Sequence, residues 1–220
     1  MNRPGSEVQD YLKTIYLLRQ REGRATTSAI AQALSVTPAS VTGMVKRLAG
    51  RGLVRHVPYQ GVALTNSGER IALEVVRHHR ILELFLMKSL GYSWDEVHEE
   101  ADRLEHVISE DFEDRMARRL GHPAVDPHGD PIPAKSGRLP SVPERRLSEL
   151  PVGRKARILR INDTDPALLR FAASLGLRPR ARVTLMEAEP FGGSLRVRVG
   201  RVDRSVGRTL ADQIFVTASG

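Results

Sequence analysis

The residues best suited to chemistry lie in Val97-His98-Glu99-Glu100-Ala101-Asp102-Arg103-Leu104-Glu105-His106. On a helix turning about 100° per residue, His98, Asp102, Glu105 and His106 fall within an arc of about 100°. Trp94, Ala101, Leu104, Ile108 and Phe112 take the adjoining face, so the ligand-type stripe borders a buried surface. Two imidazoles and two carboxylates at the edge of a core can supply much of the coordination of a divalent cation. A second helical run, Gly68 to Leu90, adds His79 and Glu83 at i, i+4. Taken alone the pattern also fits a solvated helix face, so the elements around it must decide.

Composition narrows the choice. The 220 residues suffice for one large domain or two to three small ones. There is no cysteine, hence no disulfide framework and no thiolate metal site. No run approaches the roughly 20 apolar residues of a membrane span, and Met1 to Asp10 has no apolar signal core. The expectation is a cytoplasmic protein without a membrane partner. The net charge of +8 is unevenly spread. Residues 1–60 carry nine Lys/Arg against three Asp/Glu, 91–130 four against twelve, and 151–220 thirteen against six. Basic ends suit a polyanion and an acidic middle suits cations.

Val8, Tyr11/Leu12, Ile15 and Leu18 recur at helical spacing, predicting a first helix that ends near Gly23. Thr27 is expected to cap a short helix to Leu34, and Ser35-Val36 to turn the chain. Thr37 as N-cap and Pro38 as first residue then open a helix to about Ala49. That order is a helix-turn-helix. Leu53 to Val57 and Val62 to Thr65 alternate as two strands around Pro58-Tyr59-Gln60-Gly61, which makes the unit winged. The expected DNA-contacting residues are Thr37, Pro38, Ala39, Ser40, Thr42, Gly43, Lys46, Arg47, Arg51 and Tyr59.

A long helix is expected from Thr65 or Asn66 to Leu90, and a second, acidic one from about Ser93 to Leu120. Their apolar positions exceed what one winged domain can cover, so Phe85, Leu86, Leu104, Ile108 and Phe112 are expected to pair with a second subunit. Gly121 to Pro143 holds six prolines, and Ala134 to Glu149 reads as a linker. Strands at Arg157–Ile161, Arg182–Met186, Leu195–Val199 and Ile214–Thr217, with a helix at Pro166–Leu175, predict a small β-barrel. The whole is mostly α with small β: a winged helix-turn-helix over 1–66, a helical metal-binding and dimerisation domain over 67–143, a linker over 144–151 and an SH3-like barrel over 152–220.

This order of parts resembles, over essentially the whole chain, the diphtheria-toxin-repressor family of metal-dependent transcriptional repressors in its three-domain form. The resemblance rests on the helix-turn-helix, on His78-His79-Arg80 with Glu83, and on His98-(x)3-Asp102-(x)2-Glu105-His106. It extends to His128-Gly129-Asp130-Pro131-Ile132-Pro133 and to a barrel similar to that of ferrous-iron transport accessory proteins. It implies a primary metal site of Asp10, Asp102, Glu105 and His106. The implied second site is His79, Glu83 and His98 with barrel ligands, for which Asp163 and Asp165 are the nearby carboxylates. Iron-responsive members typically carry Met and Cys where this chain has Asp10 and Asp102. Carboxylate oxygen in place of sulfur shifts preference toward harder ions, so Mn(II) is expected first and Fe(II) second, with other divalent transition metals substituting in vitro. The manganese-responsive pattern also has an acidic residue where this chain has Lys13. The implied function is that of a homodimer which binds a palindromic double-stranded DNA operator when metal joins head to core, controlling metal uptake.

Two rival functions fit the sequence less well. A metal-dependent hydrolase lacks an H-E-x-x-H motif and an evident base at an open position. A winged-helix regulator of an organic ligand calls for an apolar pocket with few histidines, the opposite of this sequence.

Overall fold

Two threonines shape the reading head. Thr26 Oγ1 accepts from Ala29 N at 3.1 Å, and Thr37 Oγ1 accepts from Ser40 N at 3.2 Å. Each closes the N-terminus of a helix whose first N–H groups have no partner within it. In this computed structural model, which describes residues 4–57, 59, 61–140, 142–162 and 165–218, the head runs in order. Its helices are α1 (Ser6–Glu22), α2 (Thr27–Ala33) and α3 (Pro38–Gly50). Helix α2 starts one residue early because Thr26, not Thr27, supplies the cap. Strands β1 (Val54–Val57) and β2 (Gly61–Leu64) form the wing, with Val54 opposite Leu64. Pro58 and Gln60 of the expected turn lie outside the described residues. Gly61 is required where it stands: its φ is +81°, and a Cβ there would sit 2.1 Å from Ala25 O. That approach lets Val62 N donate to the same oxygen at 2.8 Å and fastens the wing.

Helix α4 (Asn66–Leu90) is unbroken, as its apolar spacing predicts. The expected single helix from Ser93 to Leu120 is instead two, α5 (Val97–Leu104) and α6 (Glu110–Arg119). Ser109 explains the break: its side chain accepts from Phe112 N at 3.2 Å, and Glu110, Asp111 and Glu113 fill the new first turn. Glu105 and His106 therefore sit on a turn and not on a helical stripe.

Packing divides the chain into two units. One comprises residues 4–78, 105–108 and 133–138, so the turn bearing Glu105 and His106 belongs with the head. Leu12, Ile15, Ile30, Val41, Leu48 and Val75 are buried in it.

The other comprises 79–104, 109–132 and 139–218. Its sheet contains β3 (Arg145–Arg146), β4 (Lys155–Ile161), β5 (Arg182–Ala188), β6 (Leu195–Val199), β7 (Val202–Val206) and β8 (Ile214–Ala218), in the order β3-β8-β4-β5-β6-β7. Helices α7 (Pro166–Ser174) and α8 (Arg208–Ala211) complete it, and Leu147, Ile158, Leu169, Leu185, Val197 and Ile214 fill its core together with Trp94.

The structure corrects the sequence reading in three places here. Residues 144–151 are not a free linker, because β3 pairs with β8 and Leu147 and Leu150 are buried in the barrel core. Strand β7 was not expected. The proline-rich stretch is irregular yet packed: Gly129, at φ +94°, comes so close to Leu159 O that a Cβ would lie 2.0 Å away. Next to it His128 O accepts from Ile161 N at 3.0 Å. Of the expected dimer residues, Leu86 and Ile108 are buried within their own chain, Phe85 and Leu104 are half-buried, and Phe112 is exposed.

Candidate metal centre

The first centre lies within the head unit. Helix α1 presents Asp10, and the turn after α5 presents Glu105 and His106. His106 Nε2 is 2.8 Å from Asp10 Oδ1 and 3.5 Å from Glu105 Oε1. One ligand atom from each of the three lies within 4.8 Å of the others. Gln9 sets the imidazole. Its Nε2 donates to Pro4 O at 3.0 Å, which turns its Oε1 toward His106 Nδ1 at 2.6 Å. With Nδ1–H given to Gln9, Nε2 faces the carboxylates of Asp10 and Glu105. An imidazole nitrogen and two carboxylates converging on one point are a donor set that fits a divalent ion. Burial pushes the Asp10 carboxyl above its usual range, although His106 pulls it down; Glu105 adds to the rise. His78 Nδ1 stands 3.2 Å from the Glu105 backbone O and fixes the turn from α4. Lys13 Nζ donates to both Glu105 oxygens, at 3.0 and 2.7 Å.

The second centre lies in the other unit. Glu83 Oε1, fully buried, is 2.9 Å from His79 Nε2 and 3.2 Å from His98 Nδ1. Asp102 Oδ1 is 3.2 Å from His79 Nδ1, and its Oδ2 is 3.6 Å from His98 Nε2. On the far side, His128 Nδ1 is 3.7 Å from Glu83 Oε2, while its Nε2 bonds Trp94 O at 2.7 Å. Glu83, Asp126 and His128 bring ligand atoms within 4.8 Å of one another, all three buried. Among the described residues Glu83 Oε2 and Asp126 Oδ2 accept no hydrogen bond, although Arg80 Nε stands 3.6 Å from the latter. Two buried carboxylate oxygens left in that state also fit a cation. Burial alone would raise Glu83, but His79 first, then His128 close by and the hydrogen bonds of His79 and His98, hold it well below the usual carboxylate range. Asp126 goes the other way: burial, with Glu83 and Asp130 close by, pushes it well above that range against the pull of Arg80 and His128.

The head's reading surface is polar and solvent-facing. Val41, Met44 and Leu48 bury one side of α3, leaving Thr37, Pro38, Ala39, Ser40, Thr42, Gly43, Lys46, Arg47 and Arg51 exposed. Tyr59 is fully exposed at the wing tip with φ +62°. Thr42 Oγ1 returns to Pro38 O at 2.9 Å, and Arg47 meets Glu7 only loosely at 3.8 Å.

Three family models match successive segments of the chain. They are the iron dependent repressor N-terminal DNA binding domain over 5–62, the iron dependent repressor metal binding and dimerisation domain over 65–134, and the FeoA domain over 145–218. The chain is 33% identical over 228 residues to the iron-dependent repressor IdeR of Mycobacterium tuberculosis, covering 98% of this chain and 99% of that protein. The chain belongs to the diphtheria-toxin-repressor family. A solved structure described as a manganese-dependent transcriptional repressor in complex with manganese aligns with TM-score 0.91 and 38% identity, covering 96% of this chain and all of that one. The regulator MntR of Lysinibacillus sphaericus is 37% identical over 114 residues, 52% of this chain and 81% of that protein. Like this family, the chain is a metal-dependent transcriptional regulator with a helix-turn-helix head, a helical domain and an SH3-like barrel.

The implied groups are largely brought together, Asp10, Glu105 and His106 in one and His79, Glu83 and His98 in the other, with Asp102 also against His79 and His98. Asp165 is exposed and caps α7, accepting from Ala167 N at 2.8 Å, so it is spent locally. Asp163 lies outside the described residues. Gln9, Asp126 and His128 were not read as site residues. A glutamine one position before a ligand carries no signal until its partner across the fold is known. Asp126 carries no spacing signal in its Pro/Gly stretch, and His128 enters the sequence reading only as the first residue of the His128–Pro133 motif.

Proposed function

We propose that this chain is a dimeric repressor, active in the cytoplasm, that Mn(II), or secondarily Fe(II), switches onto a two-fold DNA operator controlling metal uptake. The observation that carries this reading is the convergence of Asp10, Glu105 and His106, with His106 held by Gln9 and the residues drawn from segments almost a hundred residues apart. An all-nitrogen-and-oxygen donor set without cysteine favours a hard ion. When bound, the ion supplies the positive charge that two carboxylates and an imidazole can share.

The protein's own residues then do the switching. Asp10 holds α1 to the turn at Glu105 and His106, and α1 packs on α2, which in turn packs on α3. Lys46 and Arg47 take phosphates, while Ser40, Thr42 and Gly43 lie close to base edges. Phe112, with Phe85 and Leu104, forms the dimer contact, so that two heads read two half-sites. The second centre, His79, Glu83, His98 and Asp102 with Asp126 and His128, holds a further ion. DNA fragments selected from a random pool in Mn2+ test the reading. Binding should require Mn2+ or Fe2+ and vanish in chelator; equal affinity in both conditions sinks it.

A further inference from the structure

The barrel carries a cluster of cations that neither metal centre uses. Along β4 the buried Ala156 and Ile158 alternate with the exposed Lys155 and Arg157; along β5 the exposed Arg182 precedes the buried Val183. Register places Arg157 directly opposite Arg182, and Lys155 opposite Thr184. Gly200 N donates to Arg182 O, which brings the exposed Arg201 of the β6–β7 turn beside them. Among the described residues none of Lys155, Arg157, Arg182 and Arg201 has an acidic partner. The nearby acids are committed elsewhere, Glu187 to Arg196 at 2.7 Å and Asp203 to Arg198 at 2.6 Å.

Like charges directly opposite on an antiparallel pair work against the sheet, so the fold gains nothing from this arrangement. It pays only if an anion lies over it. Directly in register with Lys155, Arg157 and Arg182 the face carries no aromatic or large apolar anchor among the described residues, only Thr184 and Thr217. Protein partners are gripped mainly through buried aromatic and Arg anchors set in pockets, whereas a phosphate backbone needs only charge at suitable spacing. The same chain carries a DNA-reading head, which keeps duplex at high local concentration near the barrel.

We propose that this face is a second, sequence-independent DNA contact, in which Lys155, Arg157, Arg182 and Arg201 neutralise backbone phosphates of duplex held by the head. The proposal rests on the DNA-binding reading of the head. The full-length chain, saturated with Mn2+, is titrated against a duplex of random sequence about 40 base pairs long and against selected operator DNA over a range of NaCl; that length is about four helical turns, enough for a pair of half-sites and flanking duplex. Changing Lys155, Arg157 and Arg182 together to Thr keeps strand-compatible side chains and removes the facing cations, so thermal stability should not fall.

The triple variant should flatten the plot of log affinity against log salt by about 2.7 for each barrel engaged, equally on both duplexes. Lys46→Ala serves as the comparator for the head. If Lys46→Ala flattens the slope and the triple variant leaves it unchanged, the barrel contact is overturned while the head's function stands. If the triple variant loses binding to poly-glutamate but keeps its DNA slope, the face belongs to an acidic protein and the proposal is again overturned. Absence of any Mn2+-dependent DNA binding by the unaltered chain overturns both readings.

Discussion

Lys13 donates to both carboxylate oxygens of Glu105, at 3.0 and 2.7 Å, and Glu105 is 1% exposed. The ammonium therefore compensates a buried carboxylate that the first centre also needs. Breaking a buried ion pair costs about 3–5 kcal/mol, toward the low end here because Lys13 keeps some solvent contact. Lys13→Leu should lower the melting temperature of the metal-free protein. It should also tighten Mn2+ binding about tenfold, because the ion then no longer shares Glu105 with a fixed cation. Calorimetric titration and melting with and without Mn2+ read both. Weaker Mn2+ binding would mean that Lys13 serves chiefly to position Glu105.

Gln9 provides a separate handle on the same site. Losing the partner that orients a ligating imidazole typically costs 10- to 100-fold in metal affinity. Gln9→Leu should do so without loss of helix, since Gln9 lies inside α1 and leucine is a good helix former. Circular dichroism checks the fold and Mn2+ titration the affinity. Unchanged affinity would show that His106 holds its ring without Gln9.

These two residues also mark how far the sequence could be read. Spacing and caps were enough for α1, α3, the wing and α4, because each is decided by local physics: Thr37-Pro38 opens a helix whatever surrounds it. The ligand types were legible too, and the resemblance implied the grouping of Asp10 with Glu105 and His106 and of His79 with Glu83 and His98; the turn that carries two of them was not legible. Treating Ser93 to Leu120 as one helix put Asp102, Glu105 and His106 on one stripe. Ser109 followed by Glu110 and Asp111 is a cap signature within that run, and it moves Glu105 and His106 onto a turn. Barrel residues Leu147 and Leu150 were hidden by their setting after a proline-rich stretch, where composition alone suggests a linker.

The raised Asp10 carboxyl predicts a pH dependence. Because its pKa in the fold lies above the unfolded value, protonation of Asp10 favours the metal-free fold. That contribution is complete below the ordinary carboxylate range and is lost as pH rises through the elevated value. Metal needs the ionised form, so Mn2+ affinity should rise over the same interval, with proton release on binding. Titrations in buffers of different ionisation enthalpy measure the protons. Asp10→Asn should lose both the release and most of the affinity, and an unchanged proton count would assign the release elsewhere.

The second centre should be separable from the first. Asp126→Asn and His128→Ala remove ligand atoms beside Glu83 and leave Gln9, Asp10 and His106 untouched. Each should lower the number of tightly bound Mn2+ ions by one per chain, and if the two ions bind independently the first site's affinity, read in the same titration, should stay within about twofold. A variant that keeps full stoichiometry would confine the second ion to His79, Glu83, His98 and Asp102.

Metal binding and subunit association should come apart in the same way. Phe112 is 46% exposed on α6, while Leu86 and Ile108 are already buried in their own chain. Among the five residues expected at the interface, Phe112 thus has the most apolar surface left to give a partner. Fully burying such a side chain contributes about 1.5–3 kcal/mol, and in a two-fold dimer it counts twice. Phe112→Glu should therefore shift the protein to monomer at micromolar concentration with or without Mn2+. Leu86→Ala should destabilise the fold itself by about 2–5 kcal/mol, because it opens a cavity inside the chain. Asp10→Ala should remain a dimer with intact helices and lose most Mn2+-stimulated DNA binding. Sedimentation velocity with and without Mn2+ reports assembly, and a DNA titration on the same samples reports the switch. If Asp10→Ala dissociates, ligation and dimerisation are one event, and the ion then acts on assembly as well as on the head. If Phe112→Glu stays a dimer, the interface lies on another surface, with the exposed Leu90 and Tyr92 next to be changed.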